Sequence, residues 1–212
     1  MAQSSISPAQ SSVSPSRMEA FSDGVCSIAA TLLVLEIAVH PPGTALELLR
    51  HEWPAYLGYA ISFLTIGAAW LAHNAISDRL TRADSLLLRI NLLLLLVIAF
   101  IPFPTKLVVE ALHKPDYERV FVTLYGLTLL TIRLLIFALD EYARREHLYS
   151  QDEADEDLQT ERRQLWPVVA AYVIAILAGL ALPRLAVGLY FAVAVFLIVP
   201  FRDLRRLLFS RS

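Results

Sequence analysis

Six long apolar stretches, at about 18–39, 54–76, 86–109, 118–140, 166–182 and 185–201, dominate a chain of 212 residues. Each is long enough, at roughly 17–25 residues of helix, to cross a bilayer core. The rest of the composition agrees: 57% of the residues are hydrophobic and 18% charged, against about 45–50% and 25% in a soluble domain. The pattern predicts an all-α membrane protein with six transmembrane helices. The last two stretches are divided by Pro183-Arg184, where proline disfavours helix and an arginine is costly at mid-membrane, so a tight interfacial turn is expected.

Other classes are excluded by charge and motif. A formal net charge of −2 gives no attraction for nucleic acid. The single Cys26 cannot form an intrachain disulfide or a thiolate metal framework. The chain carries no dinucleotide or Walker loop, no HExxH and no nucleophile elbow, so it is not expected to be an enzyme. The histidine spacing gives no zinc motif, and no cofactor or fixed metal ligand is predicted. Residues 1–16, rich in Ser, Gln and Pro, read as a disordered tail, followed by a membrane domain over 17–205 and a short tail over 206–212. Counting Lys and Arg by alternate loops gives eleven on one side and five on the other, which predicts that both termini are cytoplasmic. The acidic run 152–157, between Arg144-Arg145 and Arg162-Arg163, is either a cation-collecting vestibule or a solvated surface.

Polar groups inside spans are the most informative residues, because each costs several kcal/mol in hydrocarbon unless partnered. With alternating directions, Arg17, Ser22 and Asp23 of the first span, Trp70, His73 and Asn74 of the second, Arg89 and Asn91 of the third and Arg133 of the fourth fall at one depth. A network of mutually bonding side chains is expected, with Asp23 accepting from Arg17, Trp70, His73 or Asn74. Such a network is either a brace fixing helix positions or a proton or ion site using Asp23 and His73.

Along the first span, Ile28, Leu32 and Leu35 fall on one stripe, at spacings of four and three residues. From periodicity alone this stripe faces lipid or core. Asp23, Ser27 and Ala30 form a second stripe of short side chains, expected to pack within the subunit.

The opening of that span, Arg17-Met18-Glu19-Ala20-Phe21-Ser22-Asp23, resembles the R-x-x-x-F-S-D signature of the transmembrane protein 175 potassium-channel family. The likeness continues through Gly24-Val25 and Ile28 to Thr31-Leu32-Leu33-Val34-Leu35-Glu36, and resumes at Trp70-Leu71-Ala72-His73-Asn74, Asn91-Leu92-Leu93 and 100–105. One copy of the signature resembles the prokaryotic form. The resemblance implies a homotetramer in the lipid bilayer of a bacterial-type cell membrane, with the first helix of each subunit lining a central pore for potassium ions. It reassigns Ile28, Leu32 and Leu35 to a hydrophobic constriction with Ser27 and Thr31 as nearby polar groups. It also makes Arg17, Phe21, Ser22, Asp23, Trp70, His73, Asn74 and Asn91 a signature network. The chain has no TVGYG filter, so selectivity is expected from the constriction. The alternative is a proton-coupled secondary transporter using Asp23 and His73.

Overall fold

A computed structural model describes residues 14–37, 52–113, 118–150 and 156–199, with backbone alone at 113 and over 156–164. Seven α-helices are present among them: α1 (Pro15–Leu32), α2 (Trp53–Ser77), α3 (Ser85–Phe100), α4 (Pro102–His113), α5 (Glu118–Arg145), α6 (Glu156–Gly179) and α7 (Pro183–Ile198). Because α3 and α4 run on as one broken apolar rod, Ser85–Leu112, the architecture is the expected all-helical one of six spans. Among the described residues four segments are long and apolar enough to cross a membrane: Pro15–Glu36, Trp53–Ser77, Ser85–Leu112 and Glu118–Arg145. The apolar parts of α6 and α7, Leu165–Gly179 and Pro183–Ile198, are shorter.

Helix boundaries follow local chemistry. Pro15 and Ser16, expected in the tail, belong to α1, because proline at the first helical position loses only an N–H that has no intrahelical partner. The last turn of α1 tightens into a 3-10 segment, Leu33–Glu36. The third span was expected to be continuous but is interrupted at Ile101. There Pro102 cannot donate to the preceding turn, so Ile101 N–H bonds Ile98 O at 3.1 Å and Thr105 N–H bonds Ile101 O at 3.1 Å to restart the helix. The start of α6 lies ten residues before the expected span, since 156–165 is rich in Glu, Gln, Arg and Leu, which favour helix. Pro167 is accommodated inside it. The turn expected at Pro183-Arg184 falls instead at 180–182, and Pro183 opens α7, where its missing N–H costs nothing.

Two apolar clusters hold the bundle. The first joins α1, the second half of α2, α3 and the second half of α5 through Met18, Ala29, Leu33, Ile76, Leu87, Leu94, Ile98, Ile136 and Leu139. The second joins α4, the first half of α5, α6 and α7 around Val108, Val122, Tyr125, Tyr172 and Tyr190. Helix α5 runs through both. The tail over 1–13, the region of His40, the acidic run up to Asp155 and the tail over 206–212 lie outside the described residues.

Candidate functional site

Helix α1 has two contrasting sides. Met18, Ser22, Cys26, Ala29 and Leu33 are buried against α2 and α3. On the opposite side Arg17, Phe21, Gly24, Ser27, Ile28, Thr31, Leu32 and Leu35 are exposed. The large members of that stripe stand well clear of the rest of the chain, with Phe21 at 56%, Ile28 at 61%, Leu32 at 44% and Leu35 at 71% exposure. A Cβ added at Gly24 would meet no atom within 4 Å. The expected inward stripe of Asp23, Ser27 and Ala30 is corrected here. Asp23 and Ala30 are half-buried and Ser27 is exposed; the row turned inward is Met18, Ser22, Cys26, Ala29 and Leu33, whose small middle members allow close helix packing and whose Ser22 accepts from Asn91. Thr31 satisfies its hydroxyl by donating to Ser27 O at 3.0 Å and Ile28 O at 2.9 Å, which lets it stand in an apolar row without an external partner.

Behind this stripe the signature residues divide into two bonded groups. In the buried group, Ser22 Oγ donates to Met18 O at 2.9 Å and accepts from Asn91 Nδ2 at 3.0 Å. His73 Nε2–H donates to Asn91 Oδ1 at 2.9 Å, and His73 Nδ1 lies 3.4 Å from Ser77 Oγ. Asn91, 1% exposed, is thus the hub that ties α1 to α2 through α3. The second group is a pair: Trp70 Nε1–H donates to Asp23 Oδ1 at 2.8 Å. Of the four donors expected for Asp23, the indole supplies the hydrogen bond. His73 and Asn91 instead satisfy one another, since an imidazole N–H and an amide oxygen at the same buried depth each need a partner. Asn74 is half-buried, and its Oδ1 is enclosed without a hydrogen-bond partner among the described residues. Arg89, expected at this level, is exposed on α3, and Arg133 is buried on α5.

Three features escaped the sequence. Ser77 lies one turn beyond His73 on the same helical face, a spacing visible in advance. Asp84 caps α3 by accepting from Leu86 N–H at 3.1 Å and Leu87 N–H at 2.8 Å, and an Asp directly before an apolar run is a legible start signal. Burial works against its charge. The N–H of Leu87, the Tyr142 hydroxyl, the N–H of Leu86 and the charge of Arg82 outweigh that and hold the Asp84 carboxyl below its ordinary value. A second polar cluster, in which Ser62 Oγ lies 2.7 Å from both Thr105 Oγ1 and Tyr125 Oη, joins α2, α4 and α5 with no motif to announce it.

Comparison with known proteins bears on this arrangement. The family model described as "Endosomal/lysosomal potassium channel TMEM175" matches residues 17–102, the part that holds α1, α2 and α3 with both bonded groups. A potassium channel of Streptomyces collinus is 40% identical over 126 residues, covering 58% of this chain and 61% of the relative. A potassium channel of Chamaesiphon minutus is 35% identical over 189 residues, covering 85% of this chain and 91% of the relative. The endosomal/lysosomal proton channel TMEM175 of Gallus gallus is 38% identical over 117 residues, covering 50% of this chain and 23% of the relative. The crystal structure of a lysosomal potassium-selective channel TMEM175 homolog from Chamaesiphon minutus superposes with a TM-score of 0.72 at 32% identity, covering 86% of this chain and 95% of that one. With near-complete coverage of a relative above 30% identity, and the same fold over almost all of a solved channel, this multi-pass membrane protein belongs to the TMEM175 family.

Proposed function

We propose that the chain is a potassium-favouring cation channel in which the α1 helices of four identical subunits surround a shared pore. The observation that carries this reading is the exposed aliphatic stripe of α1, Ile28, Leu32 and Leu35. It occupies one side of a helix whose other side is fully committed to the subunit's core, and relatives matched over nine-tenths of their length are named potassium channels. Four copies of Ile28 form the narrowest ring, with Leu32 and Leu35 above it and Ser27 and Thr31 as flanking polar groups. No backbone carbonyl filter is involved. A ring of isoleucines excludes water when narrow and, when slightly wider, passes the cation that sheds its hydration shell more readily, which favours potassium over sodium modestly. Both termini are cytoplasmic on this reading, and the Ser22–Asn91–His73 and Asp23–Trp70 bonds brace the cytoplasmic end of the pore helix. A proton-coupled transporter would need Asp23 and His73 to exchange protons at one site; their separate hydrogen bonds favour the brace.

Replacement of Ile28 by Asn tests the assignment. In liposomes the variant is expected to carry more potassium and to discriminate less against sodium, because amide groups hydrate the ring. Unchanged flux and an unchanged permeability ratio would remove Ile28 from the ion path.

A further inference from the structure

At one end of the bundle the α2–α3 turn is laced to the segment leaving α5. Leu80 and Tyr149 form an antiparallel bridge. Thr81 donates to Leu148 O through both its N–H and its hydroxyl, each at 2.9 Å, and Ser150 N–H donates to Arg79 O at 3.0 Å. The chain reaches this bridge through a left-handed residue, His147, with φ 51°. Leu148 N–H then bonds back to Ala143 O at 2.9 Å and His147 N–H to Arg144 O at 3.2 Å, closing α5 with a Schellman turn. At the middle of the lacing, Asp84 uses both carboxylate oxygens. Oδ1 caps α3, and Oδ2 accepts the Tyr142 hydroxyl of α5 at 2.7 Å. Tyr142 is half-buried, and so is Asp84.

The consequence for α3 is mechanical. Most of this helix is leucine, valine and isoleucine. Its buried row, Leu87, Leu94, Leu95 and Ile98, packs in the core and sets the face it turns inward. Aliphatic contacts are non-directional and fix its depth only loosely, so polar bonds are the sharpest fixed points along it. The described polar bonds of α3 are the Asp84 cap with its tie to Tyr142 and, seven residues later and so about two turns along the same face, the bonds of Asn91 to Ser22 and His73. A shift of one residue's rise, about 1.5 Å, at the capped end would carry Asn91 with it and pull on Ser22 of α1, whose far side bears Ile28.

We infer that Asp84 and Tyr142 are positioning residues for the constriction: their hydrogen bond sets the depth of α3, and Asn91 passes that setting to α1 through Ser22. The inference rests on α1 lining the pore. Neither residue touches the ion path, so the effect is on how wide the ring stands.

The test is Tyr142→Phe, which removes one hydroxyl and keeps the ring, together with Asp84→Asn, whose amide oxygen retains the cap. Potassium and sodium flux per assembled channel, heat stability and oligomeric state are measured for each in proteoliposomes, alone and combined with Ile28→Asn. Tyr142→Phe is expected to change potassium flux by about threefold or more, the net effect of one hydrogen bond on a two-state balance, and to shift the potassium-to-sodium ratio. Asp84→Asn is expected to move both in the same direction by less. In the Ile28→Asn background, where the ring is already hydrated, Tyr142→Phe is expected to change nothing. If Tyr142→Phe lowers heat stability while flux and ion ratio per channel stay as in the wild type, the pair is structural and the inference fails. It fails equally if Tyr142→Phe acts by the same factor with and without Ile28→Asn. If Ile28→Asn itself alters neither flux nor ratio, the pore reading fails first.

Discussion

Gly126 shows how tightly single residues are fixed in the half of the bundle away from α1. A Cβ there would lie 2.1 Å from Tyr190 Oη and 2.7 Å from Ile176 Cγ1. The bare backbone lets the Tyr190 hydroxyl reach Val122 O, 3.2 Å away, and sets its ring 5.8 Å from that of Tyr125. Gly126→Ala must displace a fully buried tyrosine, and is expected to cost about 1–3 kcal/mol as overpacking does, read as a lower detergent unfolding temperature. An unchanged unfolding temperature would mean that Tyr190 rearranges freely. Asp23 is the opposite case, a half-buried acceptor for one indole. Asp23→Ala leaves the Trp70 N–H without its partner and is expected to cost about 1 kcal/mol and to weaken assembly. A variant that stayed equally heat-stable and equally assembled but lost conductance would give Asp23 a direct role with the ion instead. Sequence singled out Asp23 because a carboxylate in an apolar span demands a partner. It could not choose among four donors, since that choice depends on helix rotation, which is set by the close packing of the Met18–Leu33 row and the Ser22–Asn91 bond. Gly126 was invisible for a related reason: its need arises from Tyr190, 64 positions away in the chain.

At the scale of elements, the number and type of helices were legible because lipid imposes a length and a composition on every span. The break at Pro102 and the early start of α6 were not read. The first needs a judgement on whether a proline bends a helix or ends it. The second needs helix propensity in a charged stretch that hydropathy ignores. The cap of α3 carries a pH dependence with a definite sign. Because folding lowers the affinity of Asp84 for its proton, the cap's contribution is complete above the ordinary carboxylate value of about 3.9 and is lost as pH falls through the lowered folded value. Heat stability of the wild type is therefore expected to fall below about pH 4 more steeply than that of Asp84→Asn, which has no proton to gain. Parallel curves for the two proteins would show that the carboxylate is not the group responsible.

On the scale of the whole molecule, the chain forms two packed clusters that share α2 and α5. One buries the inward side of α1; the other gathers α4, α6 and α7 around three tyrosines. Helix α1 stands at the edge of the first cluster with its aliphatic row uncovered. What covers that row, lipid or three further copies of itself around an ion path, decides whether α1 lines a pore. Potassium flux through Ile28→Cys, before and after a membrane-permeant thiol reagent or cadmium, reads this out directly, since the native Cys26 is buried. A thiol ring at the constriction predicts block of the variant and none of the wild type. Full flux through fully reacted Ile28→Cys channels would place that side chain away from the ions and contradict the account.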